Sequence, residues 1–302
     1  MTTQIGEIIK EKRLLQGLTQ SELADDICTQ ATISNLENKG SLPTTSILLK
    51  VTDRLNIELN EIYEYSLSNQ NGYNRILKKV RTLCSTQRHK EANELLVTTI
   101  DFSKLDTIYE IKQYYYFMGI SGLIAYENTS DAIYYFNQAL ASESGNTLDF
   151  LDASATNGIG IAYDIANEDD KALTYYEKSL EQLDELLTII DTINNSPEIP
   201  KIYFNTAKFY SKIGEYNKAV NLCSLGIQLL QNEDLNYYLE YLLYEKGFNL
   251  MKLQKNKEAE KNYLYALVIA DIHKNDYLLD IIKNDLERYD IQEYKYREKI
   301  SK

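Results

Sequence analysis

Two glutamines, Gln20 and Gln30, each open a short amphipathic segment, one directly after Thr19 and the other directly after Thr29. A carboxamide donates and accepts hydrogen bonds at once, so at a helix start it can address the edge of a base. The stretch Leu18-Thr19-Gln20-Ser21-Glu22-Leu23-Ala24 carries the marks of a helix N-terminus. Thr19 caps, Glu22 three residues on completes a capping box, and Leu18 and Leu23 form a hydrophobic staple. Thr29 caps the next segment, Gln30-Ala31-Thr32-Ile33-Ser34-Asn35-Leu36-Glu37. Two short helices joined by a tight turn are how a helix-turn-helix offers side chains to a DNA major groove. Ile8, Ile9, Leu23, Ile27, Ile33 and Leu36 recur at helical spacing and share one small core. That leaves Gln30, Ala31, Thr32, Ser34 and Asn35 facing mostly outward. Gln30, Thr32 and Asn35 are expected nearest the bases and Gln20 near a phosphate. Ser34 faces either the duplex or the neighbouring helix.

The elements that must hold this segment follow from the flanking sequence. After Gly40 and Pro43 two further short helices are expected, Thr45 to Leu55 and Glu58 to Tyr65, which makes five in all. Residues 1–66 carry six Lys/Arg against ten Asp/Glu, and the whole chain of 302 residues has a net charge of −13. Phosphate contact therefore rests on a few local donors (Lys10, Lys12, Arg13, Lys39 and Lys50) and on helix N-termini. Non-specific affinity is expected to be weak, with dimerisation needed to reach a useful one.

The rest of the composition excludes more than it assigns. Three prolines and no tryptophan, against 26 tyrosines, point to an almost entirely helical chain. No apolar run has the length of a membrane span, and no apolar leader opens the chain. Cys28, Cys84 and Cys223 are an odd, scattered set, so the expectation is inert packing in a reducing cytoplasm rather than a disulfide framework. His89 and His273 are the only histidines and neither has metal or triad spacing. No glycine loop is built to cradle phosphate. No catalytic residue, metal or cofactor is expected, and the chain does not read as an enzyme.

Beyond residue 72 the chain repeats itself. Ala92, Ala132, Ala172, Ala219 and Ala259 are separated by 40, 40, 47 and 40 residues. Four positions after each comes Leu96, Phe136, Tyr176, Cys223 or Tyr263; three further lies a small residue in four of the five, Ala139, Ser179, Gly226 and Ala266. Twelve positions before the alanine lies Gly160, Ala207 or Gly247 in three repeats. This is the pattern of tetratricopeptide-like helix pairs, stretched to about 40 residues, which bury their apolar faces only by stacking. The segment Asn194 to Pro200 reads as an extended loop, and the chain after Asp276 as a final capping helix or two. The tyrosine clusters Tyr114-Tyr115-Tyr116-Phe117, Tyr134-Tyr135-Phe136 and Tyr237-Tyr238 read mostly as core, with Phe117 and Tyr244 as candidates for an apolar floor of a concave face.

The order of the motifs, Ile27-Cys28-Thr29-Gln30-Ala31-Thr32-Ile33-Ser34-Asn35-Leu36-Glu37 followed by five repeats, resembles the peptide-pheromone-responsive Rap/Rgg/NprR/PlcR/PrgX (RRNPP) transcription regulators, its PlcR branch above all. The resemblance covers nearly the whole chain. It implies an all-α fold: a phage-repressor-like helix-turn-helix head of five short helices over residues 1–66, a linker over 67–72, and a right-handed superhelix of five tetratricopeptide-like pairs with a capping helix over 73–302. It implies that the second domain binds a short signalling peptide and dimerises. Asn157, before Gly158-Ile159-Gly160, and Asn205, before Thr206-Ala207, stand where the family clamps its peptide. An asparagine can pair with both an N–H and a C=O of an extended peptide, as a neighbouring strand does. Lys201 and Lys208, on the same helix as Asn205, are candidates for a peptide carboxylate. The expected function is quorum-sensing control of transcription by a homodimer on operator DNA. The alternative is a protein-interaction adaptor with a weak or vestigial head, an alternative that the acidic head supports.

Overall fold

The computed structural model describes residues 2–39, 43, 45–55, 57, 73–105, 107–142, 148–189, 198–289 and 291. The expected helix from Glu58 to Tyr65 and the expected linker over 67–72 lie outside them. The described residues form fifteen α-helices and no strand. In order they are α1 (Thr2–Leu15), α2 (Gln20–Ala24), α3 (Gln30–Lys39), α4 (Thr45–Arg54), α5 (Tyr73–Ser85), α6 (His89–Thr99), α7 (Ile108–Tyr126), α8 (Thr129–Ala141), α9 (Phe150–Ile165), α10 (Asp169–Ile189), α11 (Glu198–Lys212), α12 (Tyr216–Asn232), α13 (Leu239–Lys252), α14 (Asn256–Ile272) and α15 (Asp276–Arg288). The chain divides into two compact units, 1–82 with 95–106, and 83–94 with 107–302, so that the division falls within α5 and α6.

In the first unit α1 to α4 enclose one core. Ile8, Ile9, Leu23, Ile33, Leu36, Val51 and Leu55 are buried, with Leu18 and Ile27 packed against them. Each such side chain contributes about 1.5–3 kcal/mol on burial. The capping box forms as expected: the Glu22 N–H donates to Thr19 Oγ1 at 3.2 Å and the Thr19 N–H to Glu22 Oε2 at 2.6 Å. Helices α1 and α3 meet at Gly6, where a Cβ would collide with the backbone carbonyl of Leu36. Only a bare backbone allows that approach.

The repeats beyond residue 72 are built as the spacing requires. Ala92, Ala132, Ala172, Ala219 and Ala259 all lie early in the second helix of a pair, none more than 2 % exposed. The residues four positions on, Leu96, Phe136, Tyr176, Cys223 and Tyr263, are buried with them. The rings need space, and glycines supply it. A Cβ at Gly119 or Gly158 would strike the Phe136 ring, and one at Gly160 would meet Tyr176 at 3.0 Å. Phe136 of α8 thus fills a slot between its own partner helix α7 and the next first helix, α9. First helices of successive pairs, α7, α9, α11 and α13, touch one another along the stack. Glu198, Ile199 and Pro200, expected in a loop, form the first turn of α11 instead. Proline fits there because a first-turn residue has no intrahelical N–H bond to lose. Helix α15 is the expected cap, burying Leu278, Leu279, Ile282 and Leu286. Cys84 and Cys223 are buried and Cys28 is half-buried; burial raises all three thiols, Cys84 to about 12.

Replacing Gly6 by alanine is expected to destabilise the first unit by about 1–3 kcal/mol, the usual cost of overpacking. Chemical denaturation of the full chain measures it, and an unshifted first transition contradicts the close approach of α1 to α3.

Candidate functional site

Helix α3 presents two faces. Ile33 and Leu36 are fully buried, while Gln30 and Ala31 are exposed and Thr32, Ser34 and Asn35 are half-exposed. The Thr32 N–H donates to Thr29 Oγ1 at 3.2 Å, so Thr29 caps the helix and leaves Gln30 on its first turn. Asn38, also exposed, donates to Ser34 Oγ at 3.3 Å, which ties Ser34 along the helix.

The glutamines do not stand apart. Gln30 Nε2 donates to Gln20 Oε1 at 2.7 Å, and Gln20 Nε2 donates to Glu37 Oε2 at 2.7 Å. Glu37 in turn receives Arg13 Nε at 2.6 Å and Nη2 at 2.8 Å, while Arg13 Nη1 reaches the Leu18 carbonyl at 2.7 Å. Both members of the ion pair are buried. Burial alone would raise the Glu37 carboxyl, but the hydrogen bonds from Arg13 and Gln20 outweigh it and hold it below its ordinary range. Arg13, expected as a phosphate contact, is therefore an internal strut. Arg54 is exposed and donates to the carbonyl of Asp25 beside the end of α2. Lys10 and Lys50 are exposed. The side chain of Lys39 lies outside the described residues.

The two asparagines in the repeats are joined. Asn205 Nδ2 donates to Asn157 Oδ1 at 2.9 Å, and Asn157 Nδ2 donates to Ser179 Oγ at 3.0 Å and Thr206 Oγ1 at 3.3 Å. Asn157 is 2 % exposed, so it lies beneath the surface with both halves of its carboxamide engaged. It was expected to meet a ligand directly; its neighbours Ser179 and Thr206 bury it instead. Asn205 is half-exposed.

Two other expected contacts, Phe117 and Tyr244, fall out differently. Phe117 is 2 % exposed and packs edge-on to Tyr116, so it is core and not floor. Tyr244 is half-buried, with its hydroxyl donating to Asp285 Oδ2 at 3.0 Å, and so ties α13 to α15. Lys208 is exposed, and its charge acts on the buried Glu245. Lys201 lies over the Tyr238 ring, 5.6 Å from its centroid.

That last contact marks a place where the sequence offered only the Tyr237-Tyr238 pair, read mostly as core. Tyr238 and Tyr241 stack at 4.5 Å, and Phe204 packs edge-on to both. The turn between α5 and α6 comes down onto them: the Gln87 carboxamide hydrogen-bonds to the hydroxyls of Tyr238 and Tyr241. Tyr238 has φ 65° at the start of α13; the other non-glycine residues of positive φ among the described residues all follow helix ends. A bulky residue held left-handed before a helix is strained, and strain of this kind gathers at functional sites. Repeat register would have pointed here, because Phe204 stands three residues before Ala207 as Asn157 does before Gly160 and Tyr244 before Gly247. Beside this platform His89 is buried, its Nδ1 without a hydrogen-bond partner, and burial with the charge of Lys201 lowers it to about 4.

Among the described residues no group of three or more His, Cys, Asp and Glu could hold a metal, and no helix is long and apolar enough to cross a membrane.

Comparison with known proteins bears on the N-terminal domain and on the fold of the chain. Residues 9–62 match the helix-turn-helix family model. Over 75 residues the chain is 32 % identical to the ImmF control region 10 kDa protein of Bacillus phage phi105, spanning 83 % of that protein and 24 % of this chain. The crystal structure of Bacillus thuringiensis PlcR in complex with the peptide PapR7 and DNA superposes with a TM-score of 0.70 at 20 % identity, covering 93 % of this chain and 99 % of that one. The Streptococcus dysgalactiae SHP pheromone receptor Rgg2 gives 0.53 at 18 %, covering 96 % and 99 %. ComR of S. thermophilus, in complex with DNA and its signalling peptide ComS, gives 0.51 at 15 %, covering 93 % and 98 %. The resemblance carried by the motifs thus extends to the fold over most of the chain.

His89 gives a pH test. A neutral imidazole held at about 4, against an ordinary 6.5, binds fewer protons folded than unfolded between those values. Its contribution to stability is complete above pH 6.5 and is lost as pH falls toward 4. The thermal midpoint of the wild type should therefore fall more steeply across that window than that of His89→Gln; parallel profiles contradict the burial.

Proposed function

The chain belongs, through its N-terminal domain, to the helix-turn-helix family and shares along its length the fold of peptide-binding regulators; from that premise we propose that it is a quorum-sensing transcription regulator. A head over residues 1–66 binds operator DNA as one half of a homodimer, and the repeat domain over 73–302 binds a short signalling peptide. Residues 67–72 join them. The observation that carries this reading is the outward face of α3, with Gln30 exposed at its capped first turn and braced through Gln20 to a buried ion pair.

On the DNA side, Gln30, Ala31, Thr32 and Asn35 meet the bases, Ser34 borders them, and Gln20 and Lys39 lie toward phosphate. Pre-setting the Gln30 side chain against Gln20 lowers the conformational entropy lost on docking. On the peptide side, Asn205 is the clamp, and Asn157 holds it in place from below. Lys208 and Lys201 meet carboxylates. Peptide occupancy changes the geometry between the two heads of the dimer by no more than its differential affinity for the two arrangements.

A second reading, a protein-interaction adaptor, is favoured by one observation: Arg13 is buried against Glu37, and Arg54 is engaged by the carbonyl of Asp25. Gel shifts with fragments of the native genome at low salt separate the two readings. The regulator gives a sequence-specific shift that responds to the peptide fraction of the native culture; no specific shift in either condition favours the adaptor.

Gln30→Ala is expected to abolish the operator shift and leave peptide affinity intact, and an unchanged shift contradicts the placement of the reading helix. Asn205→Ala is expected to weaken peptide binding by roughly 5- to 150-fold. It should also cost about 1–3 kcal/mol of stability, because the Asn157 carbonyl is left buried without its partner. Calorimetric titration with peptide captured from the culture measures the first and thermal unfolding the second; undiminished affinity removes the clamp.

A further inference from the structure

Carboxylates are missing from one long stretch of this acidic chain. The 26 residues from Tyr65 to Lys90 hold six Lys/Arg and no Asp/Glu, the longest such run in a sequence with 45 acidic residues. At its centre lies α5, where Arg75, Lys78, Lys79 and Arg81 share the helix with no carboxylate. No other described helix carries more than one Lys or Arg without one. The helix sorts its residues by face. Leu77, Val80, Leu83 and Cys84 are buried. Arg75, Lys78 and Lys79 are exposed on the opposite side, within about 100° of one another around the axis. Arg75 and Lys79, one turn apart, set two charges about 6 Å apart along the helix.

Residues 73–82 of α5 fall in the same compact unit as the head. The head itself is short of cations. Of its six Lys/Arg, set against ten Asp/Glu, Arg13 is buried against Glu37 and Arg54 donates to the Asp25 carbonyl. A duplex carries one phosphate charge per about 1.7 Å of its axis, and cations that displace its counterions supply much of a protein's affinity for it. A reading helix provides sequence discrimination but little of that affinity. We propose that the exposed face of α5 is a second DNA-contact surface, on which Arg75, Lys78 and Lys79 meet backbone phosphates of the duplex read by α3. This rests on the regulator reading and extends its DNA-contact surface beyond residue 66. A regular row of anions matches all three cations, whereas a peptide with one or two carboxylates leaves part of the face unmatched. Phosphate contacts position the protein without reading sequence, so α5 adds affinity equally for every duplex.

Gel shifts of the full chain at 50 and 200 mM salt test it, on a genomic fragment that the wild type selects and on a scrambled duplex of equal length. Arg75→Gln with Lys79→Gln removes two phosphate contacts and should lower the slope of log affinity against log salt by about 1.8. The ratio of wild-type to variant affinity then narrows about 12-fold between the two salts. Affinity for both duplexes should fall by the same factor and leave the preference for the fragment intact, whereas Gln30→Ala removes the preference. Arg75→Lys with Lys79→Arg keeps the charge and should keep the wild-type slope, and both double variants should keep the wild-type helical spectrum. A wild type that prefers the fragment, beside a glutamine variant of unchanged affinity and slope, overturns the basic face and leaves the regulator standing. A glutamine variant that binds both duplexes normally but no longer responds to the peptide fraction of the native culture overturns it in favour of a carboxylate ligand. A loss confined to the genomic fragment overturns it as well. A wild type that shifts neither duplex overturns the regulator and this face with it.

Discussion

A ring on one helix that needs bare backbone on two others is the constraint on which the repeat domain depends. Phe136 reaches Gly119 on its partner helix and Gly158 on the next first helix, and Tyr176 leans on Gly160 and on Phe209, whose ring lies 5.0 Å away. Each contact therefore joins one pair to the next as well as closing its own pair. A helix pair cannot satisfy its ring alone, so the units fold as a stack or not at all. First helices touch along the stack, and Asn205 on one of them stays half-exposed.

The head is organised by a different interaction. Arg13 and Glu37 form a buried, two-pronged ion pair that joins α1 to α3. A buried pair adds little net stability over an apolar one of the same shape, but breaking it leaves a stranded charge, so it strongly fixes geometry. Here the fixed carboxylate passes its second interaction to Gln20, and Gln20 passes it to Gln30. The exposed carboxamide is thereby oriented from inside the fold. In the proposed reading, an acidic head whose Arg13 is buried addresses DNA through precise placement of few groups rather than through a broad positive field.

What could be read from the chain alone was what repeats or caps locally. The alanine and ring periodicity located every pair, and Thr19 with Glu22 marked the start of α2, because these signals lie within a turn or two of sequence. What escaped depends on partners far along the chain. Asn157 looked like an exposed clamp until Ser179 and Thr206 were seen to enclose it. Arg13 looked like a phosphate contact until Glu37 claimed it. The Gln87 turn over Tyr238 and Tyr241 carries no local signal whatever, since the turn and the platform belong to different repeats. Pro200 misled for the opposite reason: proline breaks helices in general but is at home in a first turn.

The central claim is that one face of α3 reads a duplex under the control of a peptide held in the repeats. Selection of duplexes from a random library by the full chain, with and without the peptide fraction of its native culture, followed by sequencing, addresses both halves at once. The account predicts enrichment of inverted repeats, with a yield that changes when the peptide fraction is added. A library that stays random in both conditions contradicts it.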